Sequence, residues 1–195
     1  DYEWFLLIEV TGAIGIVERL ENALQDCFDH DILLDAIIAQ SKQQKDDLWN
    51  LREMTPEANK LAGAFCNSDT SVPISKISNF IDNSFSAIQK IYPNLRINSY
   101  GHIGDGNIHL NVLPPKEISK FDFLKNNPKV IEEVRMAINE TTHSLGGSIS
   151  AEHGIGRLKI KDLEMYANKA RLKAIKSIKS AMDPNNIMNP GVIVS

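Results

Sequence analysis

Residues 97–113 read INSYGHIGDGNIHLNVL, and the fold class depends on how this stretch doubles back on itself. Two runs of strand character flank Gly104-Asp105-Gly106-Asn107. Asp-Gly is a strong two-residue turn signal, because both central residues of a type I′ turn need positive φ. With Asp105 and Gly106 at the turn, Ile103 opposes Ile108 and His102 opposes His109. Strand alternation then places Ile97, Ile103, Ile108, Leu110 and Val112 on one face and Asn98, Tyr100, His102, His109 and Asn111 on the other. Cross-strand partners have Cβ atoms roughly 4.5–5.5 Å apart, so both imidazoles reach one metal ion in this register. A slip of register would undo that pairing. Histidines on a wet strand face also need no ligand, so the hairpin alone leaves a metal site and a solvated face as alternatives.

A second cluster lies at 146–157, GGSISAEHGIGR, where Glu152 and His153 stand side by side among glycines. Glu152 would join His102 and His109 in a two-histidine, one-carboxylate set that leaves a position open for a substrate oxygen, as catalytic zinc sites do. His153 would be a nearby base. Adjacent residues on an extended segment point to opposite sides, so the two share a site only if the chain bends, which Gly154 permits. A surface carboxylate is the competing reading of Glu152. His30 and His143 lack such company and read as surface or helix-end residues.

Around these clusters the pattern is mixed. The runs 4–10, WFLLIEV, and 32–39, ILLDAIIA, read as strands; 13–29 reads as an amphipathic helix. A helix starting at Ser41 should stop or kink at Pro56, and DTSVPI at 69–74 reads as an extended edge segment. Ser75 would cap a helix to about Tyr92, with Ile77, Phe80, Ile81, Phe85 and Ile88 on its buried stripe. Asn127-Pro128 opens another helix, Gly146-Gly147 closes it, SISA makes a short strand, and a last helix covers 161–182. Lys169, Lys173, Lys176 and Lys179 on that last helix form a solvated face. A hairpin in mid-sheet is foreign to doubly wound parallel proteins. The expected class is therefore α+β: a ferredoxin-like antiparallel sheet with helices packed mainly on one side and a C-terminal helical segment.

Composition narrows the function. The 195 residues, 43% hydrophobic and 24% charged, suit one sizeable globular core or at most two small ones, and the net charge of −4 gives no electrostatic case for nucleic acid or an anionic membrane. No apolar run approaches the roughly 20 residues that span a bilayer. Cys27 and Cys66 form neither a zinc knuckle nor a disulfide framework, so reduced thiols and a cytoplasmic location are expected. The abrupt entry at Asp1-Tyr2-Glu3, with no signal peptide, suggests a piece of something longer. Neither GDG at 104–106 nor GIG at 154–156 continues into a dinucleotide fingerprint, and no Walker A or G-x-S-x-G elbow is present.

Taken together, GHIGDGNIHLN, SAEHGIGR and DPNNIMNPG resemble the C-terminal half of FAD-linked oxidases and dehydrogenases of 2-hydroxy acids. That group includes D-lactate dehydrogenase, a glycolate oxidase subunit and D-2-hydroxyglutarate dehydrogenase. The likeness runs from WFLLIEVTG to the C-terminus, so residues 1–195 correspond to the substrate and metal domain. It implies a preceding FAD domain of the vanillyl-alcohol-oxidase type, absent from this chain, as partner and main holder of FAD. By resemblance His102, His109 and Glu152 match metal ligands, with zinc the implied ion, and His153 matches the base. Arg52 and Asn111 match substrate contacts, and Asn189 in the closing NPG lies toward the flavin. Near Asn67-Ser68-Asp69 an asparagine stands where some members carry a lysine for a second carboxylate, and Val192 replaces a common lysine after NPG. The implied reaction oxidises a D-2-hydroxy acid to a 2-oxo acid and passes the hydride to FAD. The electron acceptor, self-association into a homo-oligomer and peripheral membrane contact of the parent stay open. Two other classes compete: a hydrolase using the same metal to activate water, and a non-catalytic metal- or ligand-binding module.

Overall fold

The computed structural model describes residues 2–194. The chain divides into two compact units, one ending at Ala58 and the other beginning at Asn59.

In the first unit, helix α1 covers Ile16–Asp29 and follows Gly15, whose φ of 88° sets the entry. Helix α2 covers Lys42–Glu53 and is capped by Ser41, whose side chain accepts from the Gln44 N–H. Helix α3, Thr55–Leu61, restarts the chain with Pro56 in its first turn, where a missing N–H costs nothing, and the unit boundary falls within it. Glu9 accepts 2.6 Å bonds from Lys45 Nζ and Trp49 Nε1, which ties the N-terminal run to α2. Neither 4–10 nor 32–39 forms a strand, against expectation. An apolar run states what side chains prefer; a strand also needs an edge to pair with, and among the described residues neither segment finds one.

The second unit is an α+β layer structure with a small antiparallel sheet. Its strands are β1 (Cys66–Asn67), β2 (Thr70–Ser71), β3 (Arg96–His102) and β4 (Asn107–Leu113). β3 pairs along all of β4, and β1 and β2 lie end to end along the other side of β4. Alternation turns Ile97, Ile108, Leu110 and Val112 toward two helices, α4 (Ile77–Ile91) and α6 (Val130–Ser144). Phe80, Ile88, Val130, Val134 and Ile138 complete that core, each at 1% exposure or less, and burying such a side chain stabilises by roughly 1.5–3 kcal/mol. With both helices on one face, the opposite face of the sheet is left for polar residues.

The hairpin differs from the expected one by two residues. Tyr100 opposes His109 and His102 opposes Asn107, because the connection is a 3-10 turn over Ile103–Asp105 closed by Gly106 at φ 75°. The Asp105 side chain accepts from the Asn107 N–H, which favours this longer loop over a two-residue turn. A Cβ on Gly106 would also run into the Val72 carbonyl oxygen. A shift of two keeps every side chain on its face, so the polar face survives, but His102 and His109 become diagonal rather than direct neighbours, and Ile103 is exposed in the turn.

The remaining helices are α5 (Lys120–Asn126), capped by Ser119, α7 (Ile160–Tyr166) and α8 (Lys169–Met182). The last two were expected as one helix. Asn168 separates them, because its side chain caps α8 by accepting from the Arg171 N–H instead of continuing the spiral. SISA makes only a single bridge, Ser148 with Ser71.

Candidate active site

The polar face is a grid three strands wide. Register places Asn67, Asn111 and Asn98 in one row, and Asn107 beside Ser71 and His102 in another. Between them, Tyr100 opposes His109 on one side. The pairings of β1 and β2 with β4 share one register, so an unbroken edge strand would set Asp69 opposite His109 on the other side.

That edge is interrupted at Ser68-Asp69, and the interruption shapes the site. Ser68 donates its N–H to Leu110 O at 2.9 Å, as a ladder should. The return bond does not come from its carbonyl: Leu110 N–H donates to Ser68 Oγ at 3.0 Å. The carbonyl thus freed lies 3.2 Å from His109 Nδ1. A carbonyl oxygen only accepts, so Nδ1 carries the proton and the neutral ring presents its lone pair at Nε2. His109 is 8% exposed, with Tyr100 packed at 5.0 Å between ring centroids and the His153 ring stacked at 5.9 Å.

Asp69 is 3% exposed and accepts from three successive backbone N–H groups, those of Ala151, Glu152 and His153, at 2.9–3.2 Å. Asn107 Nδ2 donates to it at 3.3 Å, and Lys159 Nζ and His153 Nδ1 stand 3.6 and 3.8 Å away. Burial alone would push its carboxyl up, but the backbone bonds from His153 and Glu152 and the charges of His153 and Lys159 outweigh this and hold it below the usual carboxylate range. The bend demanded by Glu152 and His153 is present. It is stabilised by Gly154 at φ 74° and by Ser150 Oγ donating to Gly154 O.

Glu152 Oε2 comes to 3.6 Å from His109 Nε2. Two lone-pair atoms face each other across a gap that a proton or a cation must fill. Atoms held at 2.0–2.1 Å from a tetrahedral ion stand about 3.3–3.4 Å apart, so the donor set fits a divalent cation. Asp69, Glu152 and His153 also offer ligand atoms within 4.8 Å of one another, so Glu152 is common to both possible sets. His102 lies exposed on the same face, diagonal to His109. Asn111 is 4% exposed and its Nδ2 has no partner among the described residues, leaving a buried donor for a ligand oxygen.

Arg52 lies in the last turn of α2 in the first unit, half-buried. Asn189 sits in a C-terminal turn with φ 51°, where its carbonyl accepts from the Val192 N–H. That tail is tied to the loop following His153: Ile193 N–H donates to Gly156 O at 2.9 Å and Arg157 Nη2 to Pro190 O at 3.1 Å. Asp69, Ser68 and Tyr100 were not singled out from the sequence as site residues. The available signal was an acid within an otherwise uncharged edge segment, 69–74.

A sequence family described as "FAD linked oxidases, C-terminal domain" matches residues 1–193. The chain is 38% identical over 196 residues to D-2-hydroxyglutarate dehydrogenase of Stutzerimonas stutzeri (strain A1501), covering 99% of this chain and 41% of that protein. It is 32% identical over 189 residues to the mitochondrial D-2-hydroxyglutarate dehydrogenase of Arabidopsis thaliana, covering 96% and 32%. With glycolate oxidase subunit GlcD of Bacillus subtilis (strain 168) the identity is 33% over 191 residues, covering 95% and 38%. The chain spans about two fifths or less of the length of these relatives. It belongs to the family of FAD-linked oxidase C-terminal domains.

Proposed function

We propose that the chain is the substrate- and metal-holding part of a flavin-dependent dehydrogenase that oxidises a D-2-hydroxy acid to a 2-oxo acid. The single observation that carries this is the meeting of His109 Nε2 and Glu152 Oε2 at 3.6 Å, with the Nδ1 side of the ring turned to a backbone carbonyl. Relatives named for D-2-hydroxyglutarate and glycolate supply the substrate class.

His109 and Glu152, with His102 as third ligand, would hold a divalent cation, zinc on this reading. The cation would lower the pKa of the substrate's α-hydroxyl, and FAD, held mainly by a preceding domain, would supply the hydride acceptor. The protein's own groups do the rest. Asn111 Nδ2 donates to a substrate oxygen; for Arg52, in the first unit, a role in gripping a carboxylate through its guanidinium rests on the family resemblance alone. His153 takes the hydroxyl proton, with the Asp69 carboxylate 3.8 Å from its Nδ1. Asn189 in the tail would contact the flavin, as the family resemblance implies. Among the described residues no helix is long and apolar enough to cross a membrane. The free thiols Cys27 and Cys66 are the support for a cytoplasmic location, while the Arabidopsis relative is named as mitochondrial.

The test is a panel of D-2-hydroxy acids with a dye acceptor, run on the chain joined to its flavin domain, alongside metal analysis. Oxidation that disappears together with bound metal in His109→Ala is expected. Unchanged metal content in that variant removes the ligand assignment, and ester hydrolysis by this chain without flavin would favour the hydrolase instead.

A further inference from the structure

Asp69 is neither a ligand nor the base in the proposed reaction, yet its carboxylate is heavily bonded beside the site. Its two oxygens take N–H groups from Ala151, Glu152 and His153, and Asn107 Nδ2 holds one of them from the hairpin. Three consecutive amides converging on one carboxylate make a concave anion seat, here occupied by the protein's own side chain. The seat belongs to the loop, whereas Asp69 belongs to the break in the sheet edge between β1 and β2. We infer that Asp69 is a positioning residue: it holds the Glu152-His153 bend against the sheet so that the Glu152 carboxylate meets His109 and the His153 ring stacks on it.

The physical need is clear from what surrounds the bend. Glu152 and His153 are themselves exposed, and Gly154 and Gly156 both adopt left-handed backbone. A loop of that kind has many conformations and no apolar packing to select one. Besides the carboxylate bonds, the tie from the sheet is the Ala151 N–H to Asp69 O at 3.2 Å, followed upstream by the Ser71-Ser148 bridge. Lys159 closes the arrangement from the far side, donating to Ile149 O and Ser150 Oγ while standing 3.6 Å from Asp69. Removing the carboxylate leaves three N–H donors facing an emptied seat and releases the segment that carries both functional side chains.

This inference deepens the proposed function and rests on it for its consequence, but the seat itself is measurable without turnover. Asp69→Asn keeps the shape and turns one acceptor into a donor aimed at amides. Hydrogen exchange at Glu152 and His153 in this chain should accelerate roughly tenfold or more, while the Leu110 amide in the core stays protected. Zinc affinity of the same chain should fall about 10–100-fold, the range for losing a group that orients a ligand. With the flavin domain joined, kcat should fall by a larger factor than KM for the hydroxy acid rises, since Asn111, on the sheet, is untouched. Wild-type exchange at Glu152 and His153 in Asp69→Asn overturns the inference. If Leu110 also loses protection, Asp69→Glu is decisive: it retains the charge and shifts the acceptor by a methylene. Local loosening there supports the role, and wild-type exchange overturns it. A wild-type chain that binds no zinc and oxidises no hydroxy acid would sink the functional reading while the exchange result still decides what Asp69 holds.

Discussion

Replacing Ser68 by alanine tests the claim that the break in the edge strand is built for His109. The Leu110 amide is fully buried and donates to Ser68 Oγ at 3.0 Å, and the Ser68 carbonyl is engaged with His109 Nδ1 at 3.2 Å. Without Oγ only two outcomes are open. Either the amide is orphaned, at about 1–3 kcal/mol, or the carbonyl swings back to complete the ladder and abandons the imidazole. The first outcome lowers the melting temperature by roughly 2–4 °C for each kcal/mol lost in a chain of this size. The second preserves stability but frees the ring to exchange tautomers, which 15N chemical shifts of His109 report directly. Thermal unfolding and histidine NMR on one sample therefore cover both routes. Wild-type stability together with a wild-type Nδ1–H tautomer would refute the reasoning, since neither route would have been taken.

Three further outcomes are expected. Phe80→Ala, at a fully buried position facing both the sheet and α6, should cost about 3–5 kcal/mol in denaturant unfolding, where a loss under about 1 kcal/mol would mean that this core is not packed as described. Asn111→Asp replaces an unpartnered buried donor by an acceptor, so KM for the hydroxy acid should rise at least tenfold with kcat less affected in steady-state kinetics, and an unchanged KM would place the substrate elsewhere. Burial alone would push the Asp183 carboxyl up, but its bonds to Lys179 and to the backbone N–H groups of Ile187 and Met188 hold it below the usual carboxylate range. Because the folded value is the lower one, the stability it adds is present above the unfolded pKa of about 3.9 and is lost as pH falls through the folded value. Acid titration of the tail by exchange or NMR should show residues 187–193 loosening in that window, and a tail that is equally ordered with Asp183 protonated would contradict this.

Much of this protein is local in origin and was legible as such. Helical spacing of Ile77, Phe80 and Ile88, a helix start at Ser41 and alternation along 107–113 depend on neighbours a few residues away, so they can be read from a single chain. The two faces of the hairpin were also determined by the sequence, because a register error of two residues preserves alternation even as it changes partners. Which histidine stands opposite which residue was decided by the turn, where the Asp105 side chain and the Val72 carbonyl favour a longer loop. Strands at 4–10 and 32–39 failed for a related reason: pairing is a property of two segments, and composition describes one. Tertiary structure alone brought Asp69 to amides more than 80 residues away and turned the Ser68 carbonyl out of the ladder toward His109. Neither follows from spacing, since a carboxylate or a carbonyl finds its donor only after the core helices have set the sheet edge and the glycine-rich bend side by side.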